Sequence, residues 1–405
     1  MAETQDAGTS RGRARLRPVF AAYAAQGLGY AIVVTALPAI KARVELTDGG
    51  VAGLLLLACV TAAAGSILAD VIAVRRGSRW ALAVGFAIQA TALAGATVST
   101  DVAAIAVAIA VYGIGLGTVD AAANMQGALA QTYSGVPVFG RLYAGYTAAG
   151  IVGAVLTSAV HAAGGFAVGT LAVAATGAAA MSYVSLRWAD PAREARADAA
   201  AGLGSVPLPH KMIWVVGAFV FAAFVVDAAV ASWSTVYLQD GLGASGSVAP
   251  LGYAAYLAVV LLTRLAADPL VRRFGGRPTV AIGIASAAVG CLVVAVVQTP
   301  AGAIVGFSAA GAAAGLVVPV AFGRAGELCP ARRDEVMARV NLFNYGGAVV
   351  GAVVLGALAA DSSALAIGFA LPAVAILGVV PLLGRFRSAS GESAAAPRPD
   401  RRASW

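Results

Sequence analysis

The chain has 405 residues, 60% hydrophobic and only 11% charged, with a mean hydropathy of +0.86. Soluble domains carry about 25% charged residues, so this composition excludes a water-soluble globule. The formal net charge of +8 does not point to nucleic acid, because the basic residues sit singly or in small groups between apolar runs, without aromatic interleaving.

Apolar runs of about 20 residues, the length that crosses a hydrocarbon core, recur from end to end. Period-2 alternation in short segments is absent, which excludes an outer-membrane barrel. Residues 1–17 are polar and Arg-rich and are expected to form a cytoplasmic tail, with no cleavage site after a short apolar core. Six runs then start near Pro18, Gly50, Trp80, Val102, Leu142 and Gly165, making a first half over 18–186. The polar stretch 187–211 reads as a cytoplasmic linker. Six more runs start near Met212, Val248, Pro278, Ala301, Val340 and Leu365, making a second half over 212–385, and 386–405 reads as a disordered cytoplasmic tail. The expected fold class is an all-α polytopic membrane protein with twelve transmembrane helices.

Every Lys and Arg except Lys41 and Arg43 falls at the N-terminus, at an even-to-odd connection including the span ends, or in the C-terminal tail. The positive-inside rule therefore predicts both termini in the cytoplasm, as an even number of spans also requires. Cys59, Cys291 and Cys329 occur without CxxC or Cys/His spacing, so neither a disulfide framework nor a metal site is expected.

Sliding the chain against itself by 198 residues aligns the halves. "DVIAVRRGSR" (Asp70, Gly77, Arg79) falls on "DPLVRRFGGR" (Asp268, Gly275, Arg277), Gly113 and Gly117 fall on Gly311 and Gly315, and "IVGAV" after Arg141 falls on "VVGAV" after Arg339. Two halves of equal orientation are parallel repeats about an axis along the membrane normal.

Twelve spans in two halves, with Asp-x6-Gly-x-Arg after the second and eighth, resemble the major facilitator superfamily. Both copies are stretched variants of that superfamily's loop signature. "DAAANMQ" in the fourth span and "ASWSTVYLQDGLGAS" in the seventh, followed by "TRLAADPLVRRFG", are similar to a YbjJ-like subgroup distantly related to fucose permeases. One departure is Tyr143, where that subgroup is expected to carry a histidine.

The resemblance implies that spans one, four, seven and ten line a central cavity. Asp120 and Asn124 lie four residues apart on one face of the fourth span, and Asp227 lies mid-way along the seventh. At the repeat offset they meet Val318, Phe322 and Gly29, so the fold itself does not demand them. Intramembrane carboxylates are functional hypotheses by default, the alternative being packing glue. Asp120 and Asp227 are the expected proton-coupling groups, since burial raises a carboxylate's proton affinity. Asn124, Gln26, Tyr30, Gln126 and Trp233 are candidate solute contacts, with Gln89, Tyr237, Asn341 and Asn344 behind them. His161 and His210 are expected in solvated structural positions. A cytoplasmic latch is expected from Asp70, Arg79, Arg141, Asp268, Arg277 and Arg339; the resemblance implies that Asp70 reaches toward Arg339 and Asp268 toward Arg141.

No HExxH, GxSxG or phosphate-binding loop occurs, so neither an enzyme nor a primary pump is expected, and no cofactor. The reading is a monomeric secondary transporter in the cytoplasmic membrane. It would move a small organic solute by alternating access, as a proton-coupled exporter. Few amides and carboxylates on the cavity spans favour an amphiphilic or apolar, drug- or metabolite-like solute. Against export, the fifth span lacks the proline of the drug-antiporter signature. The alternative is a proton-coupled uptake permease for a sugar or other polar solute, and more remotely a non-transporting receptor.

Overall fold

A computed structural model describes residues 2–46, 48–163, 169–192, 207–244, 248–358 and 366–385. The described residues form helices and turns without a strand. The first six helices are α1 (Ala2–Arg43), α2 (Asp48–Arg76), α3 (Ser78–Val98), α4 (Val102–Ser134), α5 (Phe139–Ala162) and α6 (Thr170–Trp188). The second six are α7 (His210–Val236), α8 (Ala249–Phe274), α9 (Gly276–Val296), α10 (Pro300–Leu328), α11 (Arg333–Leu358) and α12 (Ala366–Arg385). Nine of them are long and apolar enough to cross a membrane by length and composition. Large apolar side chains such as Val107, Trp214 and Val296 stay exposed, as lipid-facing surfaces require.

Two boundaries differ from the sequence expectation. The N-terminal tail does not stop at residue 17 before a helix begins; α1 is helical from Ala2, and its Ala, Arg, Glu and Gln residues are good helix formers. The eleventh helix starts at Arg333, before the apolar run at Val340, with Asp334 and Glu335 in its first turn, where the helix dipole favours acids. Of the linker, 193–206 lie outside the described residues, as does the 386–405 tail.

The repeat is written into the backbone. Gly77 and Gly275, related by the offset, have φ of 93° and 87° and close the α2–α3 and α8–α9 turns in a region L residues rarely enter. Asp101 caps α4 by accepting from Ala104 N at 2.9 Å, and Thr299 caps α10 by accepting from Gly302 N at 3.2 Å. Packing partners repeat as well: α1 on α5 and α7 on α11; α2 on α4 and α8 on α10; α3 on α6 and α9 on α12. Gly113 and Gly117 let the α2 backbone close on α4, and Gly311 and Gly315 do the same for α8 against α10. The halves then meet where α2 crosses α11 and α5 crosses α8, again an equivalent pair.

Candidate transport site

Small residues let α4 sink among its neighbours, so that Asp120 emerges between the halves. Its Oδ1 accepts from Gln26 Nε2 on α1 at 2.8 Å, and its Oδ2 accepts from the Tyr345 hydroxyl on α11 at 2.7 Å. Gln26 also reaches the Leu116 carbonyl at 3.3 Å and accepts from Gln89 Nε2 on α3 at 2.8 Å. One oxygen of Asp120 is thus tied to its own half and the other to the opposite half. An ionised carboxylate is an acceptor only, and both donors here match that form.

One turn toward the basic face, the side carrying the α2–α3, α4–α5, α8–α9 and α10–α11 connections, lies Asn124. Its Oδ1 accepts from Tyr23 at 2.5 Å and Tyr143 at 3.1 Å, and its Nδ2 donates to Asn341 Oδ1 at 3.3 Å. Asn341 in turn donates to Ser66 Oγ at 2.8 Å. At the Asn124-equivalent position Phe322 stacks on Phe139 at 6.4 Å and packs on Tyr143 at 6.0 Å between centroids. Asn124 is buried, and its amide is bonded to both halves in this conformation.

In the second half, the Tyr256 hydroxyl on α8 donates to Asp227 Oδ1 on α7. Tyr30 is 44% exposed although it lies mid-way along α1, and it is within electrostatic reach of both Asp120 and Asp227. Its ring therefore borders the space between the halves. Sequence reading passed over three groups of this wall. Tyr345 and Tyr256 carry no local signal, since tyrosines in spans are commonly belt or packing residues. Arg264 reads as a span-end cation but lies ten residues inside the end of α8, only 8% exposed, hydrogen-bonded to Thr147, the Tyr143 carbonyl and the Ala314 carbonyl. The signal was available: a cation at membrane depth warrants the suspicion applied to Asp120.

The latch candidates divide. Asp268 caps α5, accepting from Gly140 N at 2.8 Å and Arg141 N at 3.1 Å, with Arg141 Nε at 3.4 Å. Gly140 allows this approach; a side chain there would strike the carboxylate. The other half does not copy the expected pairing. Arg339 turns to Glu335 at 2.6 Å and to His210 Nδ1 at 3.3 Å, not to Asp70. Asp70 instead neighbours Asp334, because α11 starts earlier than its α5 counterpart. Burial pushes the Asp334 carboxyl, which precedes the apolar part of α11, up to about 7, with Arg333 opposing and Asp70 adding to the rise. Arg79 and Arg277 form no hydrogen bond or ion pair among the described residues.

Gln126 and Trp233 are both engaged with neighbouring backbone. Gln126 is fully buried behind α4, donating to Ser78 Oγ at 2.9 Å and the Asp190 carbonyl at 3.1 Å while accepting from Asp190 N at 2.9 Å. It ties α3 and the end of α6 to α4. Trp233 donates to the Ala352 carbonyl at 2.9 Å, joining α7 to α11. The His161 side chain lies outside the described residues. All three cysteines are free, and among the described residues no cluster of His, Cys, Asp or Glu could hold a metal ion.

Two pseudo-symmetric six-helix halves, joined across the basic face and holding carboxylates between them, form the parallel-repeat architecture found among membrane transporters. The Major Facilitator Superfamily model matches residues 19–309 and 213–405, and the chain belongs to that family. It is 26% identical over 358 residues to an uncharacterized MFS-type transporter of Yersinia pestis, covering 87% of this chain and 91% of that one. It is also 26% identical to an uncharacterized transporter, y4wD, of Sinorhizobium fredii, covering 85% and 90%. Among solved structures, the fold is similar to that of FucP in the outward conformation (TM-score 0.74, 16% identity, 92% of this chain and 98% of that one). It is similar too to the proton:xylose symporter XylE (TM-score 0.76, 15% identity, 94% and 97%).

Proposed function

We propose that this chain is a proton-coupled transporter of a small polar organic solute and that Asp120 takes up and releases the coupling proton. The observation that carries this reading is the split bonding of one carboxylate, Gln26 from its own half and Tyr345 from the other. Ionised, Asp120 accepts from both and holds α4 to α11. Protonated, it has one acceptor fewer, and its new O–H either faces the donor-only Gln26 amide nitrogen or turns the Tyr345 hydroxyl into an acceptor; in both cases a charge-assisted bond between the halves is replaced by a weaker neutral one. Proton binding and the opening of the basic face are thereby linked. A net bond energy of about 1–3 kcal/mol for a charged acceptor would shift the conformational ratio about 5- to 150-fold.

The expectation of export rested on a scarcity of polar groups around the cavity. Gln26, Gln89, Asn124, Asn341 and Tyr345 gather about Asp120 on three-dimensional neighbourhoods that no single span displays. These amides are bonded to one another and to the carboxylate here, and separation of the halves would free those that bridge them for a polar solute, which favours coupled uptake over export of an apolar compound. Asp227, held by Tyr256, is the second candidate for the proton.

The test is Asp120→Asn in liposomes with an imposed pH gradient, using radiolabelled lactate, glucose and glucuronate as trial solutes. Gradient-driven accumulation should vanish while solute exchange at equal pH persists, since exchange needs no net proton movement. Wild-type accumulation in Asp120→Asn would move the proton role to Asp227, and full coupling in the double variant would end the proposal.

A further inference from the structure

Arg264 places a guanidinium at a depth where a charge costs about 2.5–3.5 kcal/mol even on insertion scales. Its Nε donates to the Ala314 carbonyl at 3.4 Å, its Nη1 donates to the Tyr143 carbonyl at 3.3 Å and to the Thr147 hydroxyl, and Nη2 makes no hydrogen bond to any described residue. The Tyr143 ring covers the guanidinium carbon at 5.2 Å. No carboxylate of the described residues lies within ion-pair distance, and Asp268, one turn further along α8, is engaged with the start of α5. This buried cation is met only by neutral dipoles and a ring, with two N–H groups open.

The fold does not require it. At the repeat offset Arg264 falls on Ser66, Tyr143 on Asn341, and Thr147 on Tyr345. The α2–α11 crossing is therefore built with a hydroxyl where the α5–α8 crossing has a cation. Beside Arg264, α10 breaks into a π turn at Ala313–Val317, and one of the carbonyls of that turn is the acceptor at Ala314. Such turns recur at functional sites. Arg264 also lies within electrostatic reach of Asp227 and Tyr253.

Two of the three acceptors, Tyr143 and Thr147, belong to α5 in the opposite half. Separation of α5 from α8, which opening of the basic face demands, would leave the guanidinium with the Ala314 carbonyl alone. An uncompensated buried charge is strongly destabilising. An anionic group on the bound solute, docked on Nη2, would supply the compensation that the protein lacks. We infer that Arg264 is the anion-binding group of the cavity and that the transported solute is a small organic carboxylate. A single guanidinium with the Asp227 carboxylate within electrostatic reach suits a monoanion and disfavours a phosphate dianion, which would need more positive charge. The tyrosine rings offer the carbon skeleton amphipathic surface. This inference rests on the reading of the cavity as the transport site.

Binding separates it from proton coupling. Thermal unfolding of the purified full chain in detergent is followed with three acids and their neutral partners: lactate and lactamide, benzoate and benzamide, glucuronate and glucose, with inorganic phosphate as a further probe. At least one acid should raise the unfolding midpoint in a saturable manner that its neutral partner and phosphate do not match. Arg264→Gln should abolish the rise, and Arg264→Lys, which keeps charge but loses the planar fork, should weaken apparent affinity about tenfold. Equal response to acid and neutral partner, no response to any acid, or an undiminished acid response in a folded Arg264→Gln would each overturn the assignment. The wild-type comparison of acid with neutral partner needs no variant, so a misfolded variant leaves it decisive. An Arg264-dependent acid response alongside intact coupling in Asp120→Asn would uphold the anion site while removing the proton role of Asp120.

Discussion

At the residue scale, the polar side chains of this protein divide by which face of their helix they occupy. Asp120, Asn124 and Gln126 lie within seven residues of one another on α4, yet only the first two face the opposite half. Gln126 faces Asp190, completing both the N–H and the C=O of that buried backbone unit. Gln126→Leu should therefore strand two buried backbone groups, at about 1–3 kcal/mol each. The expected outcome is a lower unfolding midpoint with unchanged apparent affinity for any solute that binds the wild type. A variant of full thermal stability with weakened solute binding would return Gln126 to the cavity. Asp120 makes the opposite prediction: its neutralisation uncouples transport while sparing exchange.

At the element scale, α5 is held by α8 at two levels. Asp268 caps its N-terminus, combining a charged acceptor with the positive end of the helix dipole, and Arg264 grips its second turn. Asp268→Asn retains one acceptor and loses the charge, removing about 1 kcal/mol from the closed arrangement of the basic face. A change of that size shifts a two-state population about fivefold. Distances between spin labels on exposed positions of α5 and α8 at that face should broaden toward longer values. Unaltered distributions would leave Asp268 as a helix cap without a latch function. Asp70 should not reproduce the effect through Arg339, whose guanidinium is committed to Glu335 and His210.

At the scale of the whole molecule, the described hydrogen bonds between halves run from the depth of Asp120 to the basic face, through Asn124–Asn341, Gln131–Gly323 and Asp268–Gly140. Tyr30, exposed and within electrostatic reach of both carboxylates, lies on the other side of them from the basic face. If the basic face is cytoplasmic, as the loop charges predict, the conformation is closed to the cytoplasm. In a background lacking Cys59, Cys291 and Cys329, a cysteine at Thr299 should react with an impermeant maleimide on intact cells, and one at Glu327 only after permeabilisation. Reversed labelling would invert the topology and make the closed side extracellular.

Span number, the fold family and the 198-residue repeat were legible in the chain because each depends on local quantities: the length of an apolar run and the recurrence of small and charged residues at a fixed offset. Asp120 was legible for a related reason, since its desolvation cost is the same whatever surrounds it. The partners of these residues were not. Tyr345 is 225 positions from Asp120, and Asn341 is 217 from Asn124; each meeting depends on the rotation of one helix about its axis and on the crossing of two halves. The same rotation sends Gln126 away from the cavity and sets Arg264 within it, although spacing along the helix makes both look ordinary. Sequence alone determined that charges would lie within this membrane fold; tertiary packing decided which are satisfied from their own half, which from the other, and which remain open, because each helix here has several neighbours and only their mutual orientation selects the face turned inward.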